Sequence, residues 1–164
     1  MHSTPNLELA AQKLGLFLLQ SQSCLSTAES CTGGWIAQSI TDIAGSSAWF
    51  DCGFVTYSNR AKTDMLAVPT DLISQFGAVS AEIAALMTAG VLSRCPADYA
   101  IATTGIAGPT GGTAQKPIGT VYLAWQQRGH PAVIVLKKFS GDRKQVRMQA
   151  VYAALNLIPD AKGA

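Results

Sequence analysis

Between Leu25 and Ile43 the apolar pattern changes its period across a single glycine-ended turn. Leu25 to Ala28 is a short apolar run, and Trp35, Ile36, Ile40 and Ile43 recur at helical spacing, with Glu29-Ser30-Cys31-Thr32-Gly33-Gly34 between them. Such a stretch reads as strand, tight turn, helix. The alternation then continues. Ala48 to Tyr57 is rich in aromatic and β-branched residues and predicts a strand, and Ser58-Asn59 caps a helix carrying Lys62, Met65 and Leu66. Pro69-Thr70-Asp71 opens a short helix closed by Gly77, and Ser80 caps a longer one with Ile83, Leu86, Met87 and Val91 inward. Asp98 to Thr104 is strand-like, and the glycine-rich segment from Gly105 to Pro117 is a loop. Gly119 to Gln127 and Ala132 to Phe139 flank a turn at Arg128-Gly129-His130-Pro131, as in a hairpin. Helices bracket the series: one from about Pro5 to Gln20, capped by Thr4, and one from about Asp142 to Leu157 with Val146, Ala150, Ala153 and Leu157 inward. Strands alternating with helices predict a mixed α/β sheet covered on both faces.

A chain of 164 residues fits one domain, residues 1–164 with a core of about 5–158, without linker or repeat. Charged residues make up only 13% against 48% apolar, which excludes a disordered chain and predicts burial of surface in a homodimer, with Trp35, Trp49 and Trp125 in need of cover. The net charge of +2 is too small and dispersed for a nucleic-acid footprint or a polybasic membrane patch. No run is long enough to span a membrane and no signal-peptide pattern opens the chain, so a cytoplasmic location is expected. Cys24, Cys31, Cys52 and Cys95 have no metal-ligand spacing, and His2 and His130 are the only histidines. The expectation is buried free thiols at Cys24, Cys52 and Cys95, no metal and no cofactor.

Three segments can carry chemistry. Ser30 stands where a strand turns into a helix; it is either an N-cap or a nucleophile beside unpaired N–H groups that can hold an oxyanion. Cys31 is a rival nucleophile without a nearby histidine. Lys62 falls in the first turn of its helix, the unfavourable end of the dipole for a cation. That dipole favours the neutral amine by up to about 2 kcal/mol, whereas lowering a lysine from about 10.4 to 7–8 requires roughly 4 kcal/mol, so burial or a second cation must supply the rest. Lys62 is therefore either a solvated side chain or a base for Ser30; Tyr57 orients that amine, donates to a developing charge or is core. The Gly105–Gly112 loop is either an anion nest or a surface turn, but neither a Walker A loop nor a dinucleotide fingerprint. Arg143, at a helix start, can grip a phosphate as a fork or stand solvated.

Ala28 to Gly34, Tyr57-Ser58-Asn59 with Lys62, Gly77 to Ser80, Thr104 to Pro109, Lys116 to Val121 and Gly141-Asp142-Arg143 together resemble the C-terminal domain of the CinA competence/damage-inducible proteins, in family order over most of residues 7–158. The resemblance implies a three-layer α/β/α sandwich with a mixed, mostly parallel sheet. The activity it implies is hydrolysis of the amide of nicotinamide mononucleotide to nicotinic acid mononucleotide and ammonia. By position, Ser30 would be the nucleophile, Lys62 its base and Tyr57 a helper; Thr32, Gly33, Gly34, Asn59, Thr104, Gly105, Ala107, Gly108 and Arg143 would surround a small nucleotide. The pyrophosphatase-associated domain of longer members is not expected here. Three departures stand out: Gly108-Pro109-Thr110-Gly111-Gly112 for GPGGG, Cys52-Gly53 for GG, and Leu66-Ala67-Val68 for LGV.

Overall fold

The computed structural model describes residues 5–163. Helix α1 (Leu7–Gln20) precedes β1 (Leu25–Glu29), α2 (Trp35–Thr41), β2 (Phe50–Val55), α3 (Asn59–Leu66), α4 (Thr70–Phe76), α5 (Ala81–Arg94), β3 (Tyr99–Gly105), β4 (Thr120–Gln127), β5 (Val133–Lys138) and α6 (Arg143–Lys162). The side chains foreseen as caps do that work at two starts, where Ser58 accepts from the Ala61 N–H and Ser80 from Ile83; at α6 the Asp142 side chain, expected only to begin the helix, caps it by accepting from Gln145. At α1 the cap is Asn6, which accepts from Leu9 at 2.9 Å; the expected Thr4 lies outside the described residues.

The strands lie in the order β2-β1-β3-β4-β5. The β2/β1 and β1/β3 pairs are parallel and the β3/β4 and β4/β5 pairs antiparallel, so the sheet is mixed but evenly divided rather than mostly parallel. The physical reason lies in the connections. A helix links β1 to β2 and helices link β2 to β3, which allows parallel return, whereas the loop between β3 and β4 contains no crossover helix and the tight turn after β4 permits only a hairpin.

Two apolar clusters sandwich the sheet. Leu14, Leu18, Ile36, Ile40, Trp49, Ile101, Leu123, Ala150 and Leu155 pack the α1/α2/α6 face, and Leu66, Ile73, Ile83, Met87, Val91, Ala100 and Ala102 pack the α3/α4/α5 face. The expected three layers are present. β1 and β3 are buried on both sides, as central strands of an α/β sheet must be. Of the tryptophans expected to need a partner, Trp49 and Trp125 are covered by this chain itself; Trp49 packs so tightly on Gly15 that an added Cβ would lie 2.6 Å from its ring. Exposed apolar surface sits instead on the β5 edge at Val133, Ile134 and Leu136. Helix α6 runs past the expected end at Leu157 and through Pro159 to Lys162, because Ile158 and Pro159 are buried and the Lys162 amine sits 5.5 Å from the Trp125 ring centroid. Among the described residues no helix is long and apolar enough to cross a membrane.

Candidate active site

Glu29 and Ser30 end β1 at the carboxyl edge of the sheet, where the Ser30 N–H donates to the Thr103 carbonyl at 3.0 Å and extends the β1/β3 pairing by one bond. The chain then reverses. Gly33 and Gly34 both take positive φ, +62° and +94°, which side-chain-bearing residues adopt only at a cost. What fixes this turn is Glu29, a residue the sequence reading passed over. Its carboxylate is buried and accepts from the N–H groups of Gly34, Ile36 and Ala37 at 3.1, 3.0 and 2.9 Å. It thus satisfies the donors that open α2. An acid at the end of the strand, ahead of the turn that opens a helix, was the available signal. Arg147 of α6 completes the clamp from the other side, donating to the Cys31 and Thr32 carbonyls at 3.0 Å each and stacking on Trp35. Nothing in the local spacing points to Arg147.

Lys62 arrives from α3. Its Nζ lies 3.1 Å from Ser30 Oγ and donates to the Thr56 carbonyl at 2.8 Å, and the side chain is only 1% exposed. Burial lowers its pKa from the usual lysine value, and among the described residues the one ion pair is the surface contact Arg60–Asp64. So Lys62 has no carboxylate to restore the charge. The burial that the helix dipole alone could not replace is supplied by the fold.

The pair opens into a cavity of about 270 Å³ lined also by Cys31, Tyr57, Asn59, Thr104, Gly105, Ala107 and Arg143. A larger apolar cleft of about 750 Å³ between β5 and α6 holds no nucleophile–base pair. At the mouth, Arg143 donates to the Gly108 carbonyl at 2.7 Å and to the Tyr57 hydroxyl at 3.1 Å. Tyr57 is 61% exposed, and its hydroxyl partner is Arg143 rather than the amine it was expected to orient. The Thr104 hydroxyl donates to the Ala78 carbonyl at 2.7 Å and braces the cavity wall.

Four expected substrate-contacting residues, Thr32, Gly33, Gly34 and Gly108, do not line the cavity; the Gly108 carbonyl is taken by Arg143. The Thr32 hydroxyl is buried 2.8 Å from that of Thr103, and Gly33 and Gly34 shape the turn beneath Arg147 and α2. The reversal that exposes Ser30 turns the following residues away from it. Cys31 does reach the cavity wall, but burial pushes its thiol up to about 11 with Glu29 adding to the effect, the opposite of an activated nucleophile. Thr110, where the resemblance expects glycine, has no positive φ; Gly108 and Gly111 beside it do, so the loop keeps glycine where the backbone requires it. Ala67 is the contrary case, held at φ +57° at the C-cap of α3.

The CinA C-terminal domain profile matches residues 7–161. The chain is 47% identical over 148 residues to the nicotinamide-nucleotide amidohydrolase PncC of Escherichia coli K12, covering 90% of each chain. It is 49% identical over 146 residues to the protein of that name from Pseudomonas putida, covering 89% of this chain and 91% of that one. The crystal structure of the competence/damage inducible protein CihA from Agrobacterium tumefaciens superposes with a TM-score of 0.92 at 43% identity, covering 99% of both chains. The chain belongs to the CinA C-terminal domain family.

Proposed function

We propose that this member of the CinA C-terminal domain family is a carbon–nitrogen hydrolase acting on a linear amide, converting nicotinamide mononucleotide to nicotinic acid mononucleotide and ammonia in pyridine nucleotide recycling. The observation that carries the reading is the buried Lys62 amine 3.1 Å from Ser30 Oγ, without a counter-charge, in a cavity open to a small molecule. The activity named for the Escherichia coli and Pseudomonas putida relatives supplies the substrate class.

In the reactive form the Ser30 hydroxyl donates to the lone pair of neutral Lys62, while the Thr56 carbonyl fixes the amine's other side. As Ser30 Oγ attacks the carboxamide carbon, its proton passes to Nζ and an oxyanion develops on the substrate oxygen. The resulting ammonium gives that proton to the departing nitrogen, so ammonia leaves and a Ser30 ester remains. Water then attacks the ester with Lys62 again accepting a proton, and the acid product leaves as the proton returns to Ser30 Oγ. One lysine carries both proton transfers, an attested variant of the histidine triad, and no step calls for a metal. Arg143 and the Gly105–Gly108 backbone grip the 5′-phosphate, with Tyr57 and Asn59 at the rim. The homodimer belongs to the same reading, supported by the exposed apolar side chains on the β5 edge; light scattering is expected to give a mass near twice 17.2 kDa.

The test is ammonia release from nicotinamide mononucleotide by the purified protein and by Ser30→Ala, with ligand binding measured on both. Release by wild type and its near-abolition in Ser30→Ala, with binding retained, supports the reading. Tight binding without release would make the chain a nucleotide-binding module. Undiminished release in Ser30→Ala that is lost on thiol alkylation would assign the chemistry to Cys31.

A further inference from the structure

At the opposite end of β1 from Ser30 the fold assembles a second cluster. Asp51, Cys52 and Cys95 bring their carboxylate oxygen and two sulfurs within 4.8 Å of one another. Asp51 and Cys52 are adjacent on edge strand β2, where a regular pleat would send them to opposite faces. Here the pleat is broken. β1 residues Leu25 and Thr27 pair with Phe50 and Gly53, so the register shifts and β2 carries an extra residue at Asp51-Cys52. A bulge of this kind re-aims a side chain, which is how neighbours come to share one focus. Cys95 reaches the focus from the C-cap of α5, its thiol 3.1 Å from the Val91 carbonyl, and the Ser26 hydroxyl lies 3.5 Å from the Cys52 sulfur. Asp51 is exposed and the two cysteines half-buried, so the focus is open to solvent from one side.

We propose that Asp51, Cys52 and Cys95 form a binding site for a thiophilic d¹⁰ cation of the Zn²⁺ class, separate from the hydrolytic centre. Two thiolates and a carboxylate supply three ligands of a tetrahedral set, and the open side leaves the fourth position to water. A tetrahedral set with Zn–S near 2.3 Å and Zn–O near 2.0–2.2 Å places its donor atoms about 3.5–3.8 Å apart, so these three, all within 4.8 Å of one another, close by about 1 Å at most on binding. Binding displaces one proton from each thiol and forms two metal–sulfur bonds and one metal–oxygen bond, with no change of oxidation state. A disulfide between the cysteines would leave the aimed carboxylate without a role, whereas a bound cation offsets the negative charge of all three groups. The site lies four residues back along β1 from Ser30, roughly 13 Å at the rise of a strand. It therefore holds the β2 edge to the end of α5 without touching the chemistry.

The experiment is Co²⁺ titration of the full-length protein kept reduced, followed by its thiolate charge-transfer absorption and by displacement with Zn²⁺. The expected result is one equivalent of Co²⁺ per chain with tetrahedral ligand-field bands, bleached by Zn²⁺. Cys52→Ser and Cys95→Ser are expected to lose the thiolate band, and Asp51→Asn, an exposed change that spares the packing, to weaken affinity at least tenfold. Ammonia release by the metal-free protein and by Asp51→Asn is expected to match wild type, which separates failure of this proposal from failure of the hydrolytic one. Absence of a stoichiometric band in the reduced wild type overturns the proposal. So does a band that survives in Cys52→Ser, or an affinity unchanged in Asp51→Asn.

Discussion

Glu29 and Lys62 are both about 1% exposed and both flank Ser30, yet they occupy opposite situations. The Glu29 carboxylate accepts three backbone N–H bonds from the start of α2, so the charged form is matched donor for donor. The Lys62 amine has one carbonyl and one hydroxyl beside it and no carboxylate, and burial lowers its pKa. A buried ion matched by fixed dipoles holds structure together, whereas a buried amine without a counter-charge is driven toward its neutral, proton-accepting form. The first shapes the turn that presents Ser30; the second stands where the proposed mechanism needs an acceptor for the Ser30 proton.

The largest expected effect would break that comparison on the Lys62 side. Ser30→Ala, Lys62→Ala and the double change should each lower kcat by about 10³-fold or more, the double variant little further than either single one. Lys62→Arg should be as inactive, since a guanidinium cannot give up its proton. Because a protonated Lys62 cannot accept from Ser30, kcat/KM should fall about tenfold per pH unit below the lowered lysine pKa and level off above it. Additive single-variant losses, or an acid limb unmoved by any of these changes, would separate Lys62 from Ser30.

On the Glu29 side the expected loss is in stability. Glu29→Ala leaves three donors of α2 without their acceptor and should cost about 3–5 kcal/mol in denaturant unfolding. Lys62→Met should change stability by less than about 1.5 kcal/mol, because relief of desolvation offsets the orphaned Thr56 carbonyl. Equal losses in the two variants would erase the distinction between them.

Arg143 extends the contrast to a cation left in solvent at the cavity mouth. Arg143→Ala should raise KM for the mononucleotide by about 10–150-fold and leave kcat nearly intact, since a charge-assisted bond is worth roughly 1.5–3 kcal/mol and the phosphate lies a ribose away from the reacting carbonyl. The dephosphorylated riboside should be insensitive to the change. A variant that keeps full preference for the phosphorylated form would remove Arg143 from the phosphate site. The smallest effect concerns the turn that follows α3, the helix that carries Lys62. Ala67, at φ +57°, should yield about 0.5–1 kcal/mol of added stability on Ala67→Gly, read as a rise in Tm with turnover unchanged. A lower Tm would mean that the Ala67 side chain contributes more packing than its backbone strain costs.

The order of strands and helices along the chain, the Ser58 and Ser80 caps and the helix-start position of Lys62 were all legible in the sequence. Each is written in local periodicity and in side chains that satisfy their own neighbours' N–H groups. Family resemblance added the roles of Ser30 and Lys62 and the substrate, which no period encodes. Only the tertiary structure decided that these two groups, 32 residues apart, stand 3.1 Å apart with the amine buried at the cavity wall. It also turned Thr32, Gly33 and Gly34 away from the cavity, gave Tyr57 to Arg143, and brought Cys52 to Cys95 across a bulge that no spacing rule anticipates. The physical reason is the same throughout. Torsional preference and amphipathic period act between residues a few positions apart, whereas strand order and register choose which distant residues meet, and a pKa depends on what they meet and how much water is left between them.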